Sequence, residues 1–167
     1  MKFAYADPPY PGQAKRHYSD QPICCEVNHE ILIGFLCSEY PDGWALSTSS
    51  PALHKVLPLC PPYVRVMAWV KPFCSFKPGV GVAYAWEPVI VSGGRKRTRK
   101  QKTIRDWVPA NITIKKGLHG AKPVQFYYWI LDVLNYFDGD TIEDIFPGIG
   151  TLSKILCFER YKQETLC

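Results

Sequence analysis

The chain has 167 residues, 47% of them hydrophobic and 21% charged, which fits one globular domain with its own core and excludes a disordered chain. Twenty Lys and Arg against 15 Asp and Glu give a net charge of +5, too small to declare a polyanionic partner unless the charge is concentrated. It is concentrated: Arg95, Lys96, Arg97, Arg99, Lys100 and Lys102 place six positive charges in eight residues.

Lys2–Ala6 reads as a short apolar strand that stops at two prolines. Polar, Pro-bearing residues 11–27 read as a loop. A helix follows from an Asn28 cap to about Glu39, with Ile31, Leu32, Phe35 and Leu36 at helical spacing. Trp44–Ser49 reads as a strand, Ser50–Pro51 as the start of a second helix closed by Pro58, and Val64–Val70 and Tyr84–Val91 as further strands. The basic run and an irregular stretch come next. Lys122–Pro123 opens a helix to about Tyr136, Thr141–Ile145 is the last strand, and a terminal helix follows Thr151. Strands alternating with helices predict an α/β fold, a Rossmann-like, mostly parallel sheet of about five strands with helices on both faces.

No apolar run reaches the roughly 18 residues that a membrane span needs, and Met1–Lys2 leads into strand-like residues without a signal-peptide region. The seven cysteines contain no CxxC pair and read as free thiols in a reducing compartment, with no zinc site. The four histidines show no ligand spacing, so no metal is expected. Trp44, Trp69 and Trp129 read as core. Glu87, mid-strand, reads equally as structural or as adjacent to a ligand.

Ligands of such sheets bind outside the carboxyl ends of the strands, and two strand-end loops have special composition. Asp7–Pro8–Pro9–Tyr10 offers a carboxylate, a proline carbonyl and an aromatic face, a set suited to a flat heterocycle bearing an exocyclic amine. Asp144–Ile145–Phe146–Pro147–Gly148–Ile149–Gly150–Thr151 supplies glycines that let backbone approach a ligand, followed by the free N–H groups of a helix.

Together, and in this order, the two loops resemble the DPPY motif and the glycine-rich cofactor motif of the amino-group DNA methyltransferases, in the permuted β-type arrangement. The resemblance covers nearly the whole chain and is strongest to small, phage-type adenine methyltransferases. Gly43–Ser49, Val66–Lys71 and Ala85–Ile90 resemble the family's later strands, and His119–Gly120–Ala121–Lys122–Pro123 its segment before the cofactor motif.

The resemblance implies S-adenosylmethionine as cofactor and the amino group of adenine in DNA as methyl acceptor. It gives Asp7 and Pro8 the target amine and Tyr10 the flipped base, with Pro9 completing the catalytic motif. It gives Asp144, Phe146, Pro147, Gly148, Gly150, Thr151, Lys122 and Pro123 the cofactor. Residues 1–167 form one domain in this reading, with 95–117 as a short target-recognition segment. Arg95, Lys96, Arg97, Arg99, Lys100 and Lys102 contact phosphate there, overhanging the same edge as Asp7. Thr141–Ile145 is expected beside Lys2–Ala6, so that the two motifs share one crevice.

After the glycine loop only Leu152–Cys167 follow, about one helix, so the strand on which the resemblance would place the family's ribose-binding acid, and its neighbour, are expected to be absent and the sheet trimmed on the cofactor side. Glu159 lies too close to Gly150 in sequence to replace that acid. A homodimer is one way to complete the pocket. A degenerate relative that only binds DNA or cofactor, and a methyltransferase acting on cytosine or on RNA, remain open alternatives. The family context implies the cytoplasm of a bacterial or phage-infected cell.

Overall fold

Phe3, Ala4, Tyr5 and Ala6 are all fully buried, the mark of a strand covered on both faces. This strand, β1 (Lys2–Ala6), pairs in parallel with β2 (Gly43–Ser47) on one side and β6 (Thr141–Asp144) on the other. The expected neighbourhood of the first and last strands is therefore what the protein has. The computed structural model describes residues 1–11, 26–74, 78–113 and 121–157.

The remaining strands extend the sheet beyond β2. β4 (Trp86–Gly93) runs antiparallel to both β2 and β3 (Arg65–Val70), and β5 (Trp107–Pro109) lies parallel to β3. The order is β5-β3-β4-β2-β1-β6, six strands where the sequence predicts about five. The additional one, β5, is three residues long, too short to show an alternation. β4 is reversed because the described part of its connection to β3 holds no helix, and a parallel return needs a long crossover.

On one face lies α1 (His29–Glu39), capped by Asn28, whose side chain accepts from the Glu30 and Ile31 amides at 3.0 and 3.1 Å; such a cap is worth about 1 kcal/mol. α1 buries Leu32, Ile33 and Leu36, while Ile31 and Phe35, expected on the buried stripe, are 70% and 42% exposed. Residues 50–59 make two 3₁₀ turns around α2 (Leu53–Val56) instead of one continuous helix. Pro51 and Pro58 each start such a turn, where their missing N–H costs least.

On the other face α3 (Val124–Leu134) buries Phe126, Trp129, Ile130 and Leu134 against Phe3, Tyr5, Trp69 and Val89, and it ends at Asn135 in the left-handed conformation. A last helix begins at residue 151 and is described to 157. At the amino edge of the sheet β2 and β4 meet at Gly43 and Gly93. A Cβ on Gly93 would lie 2.8 Å from the Asp42 carbonyl oxygen, so only glycine fits.

Candidate active site

β1, β2 and β6 point the same way, so Ala6, Ser47 and Asp144 share the carboxyl edge of the sheet. The reversal of β4 brings its first residues, Trp86 and Glu87, to that same edge. Side chains alternate along a strand, and Phe3 and Tyr5 face α3. Asp7, the next odd position, leaves β1 toward the same side. Lys122, just before α3, meets it there.

The result is a cluster of alternating charges. The Lys122 ammonium donates to both Asp7 oxygens at 3.0 and 2.9 Å, donates to the Tyr10 hydroxyl at 3.1 Å, and lies 3.3 Å from Glu87. Tyr10 in turn donates to Glu87 at 2.8 Å, and Lys71, at the end of β3, donates to the other Glu87 oxygen at 3.0 Å. Two lysines thus balance two carboxylates.

Burial pushes the Asp7 carboxyl up, and the Lys122 charge only partly offsets it. Burial acts the same way on Glu87, but the Lys122 and Lys71 ammoniums hold it below the usual carboxylate range. Burial opposes charge on Lys122, yet Asp7 and Glu87 raise it and keep it protonated. Burial, Asp7 and Glu87 push the Tyr10 hydroxyl up, so it stays a phenol and a donor.

The second loop leaves the adjacent strand. Tyr5 and Asp144 are register partners, and the Ile145 amide donates to the Tyr5 carbonyl at 2.9 Å. Both Asp144 carboxylate oxygens are buried and find no hydrogen-bond partner among the described residues. Burial pushes this carboxyl up to about 6; Asp7 adds to the shift, and the Phe146 amide, though short of hydrogen-bond geometry, works against it. Gly148 and Gly150 have φ of 49° and 70°, and a Cβ on Gly150 would meet nothing within 4 Å. Phe146 packs toward the α1 side, Pro147 and Gly148 are exposed, Thr151 opens the last helix, and Pro8 and Pro123 are buried.

Asp7, Tyr10 and Lys122 therefore converge, with Asp144 on the neighbouring strand. Lys122, expected beside the cofactor, bonds to the Asp7 carboxylate. Glu87 is a full member of the cluster, and Lys71 is a member that sequence reasoning missed. The available signal was a pair of opposite charges, Lys71 just after β3 and Glu87 at the start of β4, beside apolar strand residues. His17, Tyr18, His119 and Glu159 lie outside the described residues.

The basic run is elsewhere. Because β4 runs backward, it ends at the amino edge, opposite Asp7; five strand residues at about 3.3 Å each set the two edges roughly 17 Å apart. The expectation that the run overhangs Asp7 is thus corrected. Two of its members are also internally engaged. Arg95 donates to both Asp140 oxygens at 2.6 and 2.7 Å, and Arg97 donates to the Lys102 and Asp132 carbonyls. Lys96, Arg99, Lys100 and Lys102 are exposed and form no ion pair among the described residues.

No protein-family model matches the chain, and no curated protein matches it in sequence. Solved structures do match. Among them, the crystal structure of the M1.HpyAVI–SAM complex aligns with a TM-score of 0.58 at 14% identity, covering 91% of this chain and 75% of that one. The chain has that structure's fold, a mixed α/β fold whose six-stranded sheet is mostly parallel. Among the described residues no helix is long and apolar enough to cross a membrane.

Proposed function

We propose that the protein transfers a methyl group from S-adenosylmethionine to the exocyclic amino group of adenine in DNA, with the base turned out of the stack to reach Asp7. One observation carries this reading. The amine-accepting loop and the glycine loop leave directly paired strands, β1 and β6, at one edge of the sheet. The matching fold, that of a protein solved with SAM, supports the same cofactor.

The residues present fit the cofactor. Among the described residues the buried Asp144 carboxyl has no donor, and such a group is costly unless a ligand supplies one. Gly148 and Gly150 leave their side of the loop open to a ligand, and Phe146, Pro147, Thr151 and Pro123 are the residues we assign to line it. When bound, the cofactor supplies an electrophilic methyl group on a sulfonium.

Asp7 and the Pro8 carbonyl accept the two N–H groups of the target amine. That localises the nitrogen lone pair, which is otherwise delocalised into the ring, and aims it across the edge toward the β6 loop. Tyr10 presents its ring to the base, its hydroxyl anchored on Glu87. Positioning and fixed charge therefore carry the catalysis. Asp7, raised by burial, is the base that the site offers for the proton the amine releases. Lys96, Arg99, Lys100 and Lys102 contact DNA phosphate away from the target base.

A second reading, a relative that binds DNA without transferring methyl, is favoured by one feature: among the described residues β6 is an edge strand. That open edge is also where a second copy of the chain would complete the pocket. Calorimetry with S-adenosylmethionine separates the readings. The first requires binding by the wild type that Asp144→Asn removes, and no binding to the wild type with or without DNA leaves the second.

A further inference from the structure

A buried lysine is costly unless its partners are close and its donors are used. Lys122, only 3% exposed, meets both conditions through Asp7, Tyr10 and Glu87. The ammonium is shared between two carboxylates, and the second of these is itself held by Lys71. Charge thus alternates from β3 to β4, to the segment before α3, and to the end of β1.

We propose that Lys122 is the positioning residue of Asp7: its ammonium fixes the carboxylate plane and holds it as an acceptor for the incoming amine, while Lys71 and Glu87 hold the ammonium in place. The inference rests on reading Asp7 as the amine acceptor. A carboxylate has about four lone-pair sites, so Asp7 keeps Lys122 and still receives an N–H. Protonated, it would instead aim a donor at an amine that is itself a donor.

Lys122 faces Asp7 from the α3 side, Glu87 from β4, Tyr10 from its own loop, Tyr5 from β1, Tyr127 from α3 and Asp144 from β6. Among these described groups Lys122 is the cation. Glu87 and Asp144 both oppose a negative Asp7. Removing Lys122 and removing Glu87 must therefore move Asp7 in opposite directions, which loss of packing cannot imitate.

The test is a carbon-detected NMR titration of the Asp7 carboxyl, without cofactor or DNA, in the wild type and in Lys122→Met, Lys122→Arg and Glu87→Gln. Lys122→Met is expected to raise the midpoint by about one to three units, the effect of an opposite charge within about 4–6 Å. Glu87→Gln is expected to lower it, and Lys122→Arg to leave it near the wild type. A Lys122→Met midpoint unchanged from the wild type overturns the proposal. Should that variant not fold, a Glu87→Gln midpoint that stays or rises overturns it equally.

A labelled-methyl assay on the same proteins separates this inference from the reaction assigned above. If the wild type transfers methyl, the acid limb of kcat/KM in Lys122→Met must rise with the Asp7 midpoint, and an unmoved limb counts against the proposal. If the midpoints move as expected while the wild type transfers no methyl, the link between Lys122 and Asp7 stands and the reaction falls.

Discussion

Tyr5 and Asp144 are direct partners across a parallel strand pair. Their two strands end in the two loops of unusual composition, so the register of β1 on β6 decides that the loops leave the same edge of the sheet side by side. A register slip of one residue would turn Asp144 to the opposite face from Asp7. The buried Asp144 carboxylate is the cost that the fold carries at this point.

That cost is measurable as a pH dependence. Native Asp144 keeps its proton to about pH 6, whereas the unfolded chain releases it near the ordinary value. Between those pH values the unfolded chain binds fewer protons, so stability falls as pH rises. At about 1.4 kcal/mol per unit, and allowing for partial solvent screening, the wild type should lose about 2 kcal/mol relative to Asp144→Asn between pH 4 and pH 7. Urea unfolding at the two pH values checks this, and parallel curves for the two proteins would contradict it.

Arg95 should behave as a structural residue. It forms two bonds to the buried Asp140 carboxylate, which also accepts from the Met1 nitrogen and the Phe137 amide. Burial opposes the charge on Asp140, but Arg95, Met1 and the Phe137 amide hold its carboxyl well below the usual range. Its stabilisation is therefore present above the ordinary carboxylate pKa and is lost as pH falls below it. Arg95→Ala should cost about 3 kcal/mol at pH 7 and flatten the loss of stability in acid. Lys96→Ala, one residue on, should change stability by less than about 0.5 kcal/mol. Thermal or urea denaturation distinguishes them.

The exposed members of the basic run should act on affinity alone. If Arg99, Lys100 and Lys102 contact phosphate as proposed, replacing them together with Ala should lower the salt slope of DNA binding by about three units. kcat should not change, because the loop sits at the opposite edge from Asp7. DNA titrations over a range of salt test this, and an unchanged slope would make the run a solvated loop.

Much of this arrangement was legible in the residues. β1 begins and ends where Lys2–Ala6 reads as a strand, and Asn28 caps α1 as its side chain predicts, because both signals are local. The two site loops were visible by composition. What stayed hidden was set by pairing across the sheet. The reversal of β4 exchanged the ends of that strand, carrying Glu87 to Asp7 and the basic run away from it. β5 exists because β3 offers it an edge, not because Trp107–Pro109 has a pattern of its own. α1 turns Ile31 outward because Leu32, Ile33 and Leu36 fit the core with Trp44 and Leu46, a choice that spacing alone did not make.

The most direct measurement is nucleoside analysis after incubating mixed DNA and RNA with methyl-labelled S-adenosylmethionine and either the wild type or Asp7→Ala. The wild type should place label on the adenine amino group of DNA. Asp7→Ala should place none while still binding DNA with near-normal affinity, since the basic run proposed to meet phosphate lies at the far edge of the sheet. Label in no nucleoside, or equal labelling by the two proteins, would contradict the assignment of Asp7 as the residue that receives the amine.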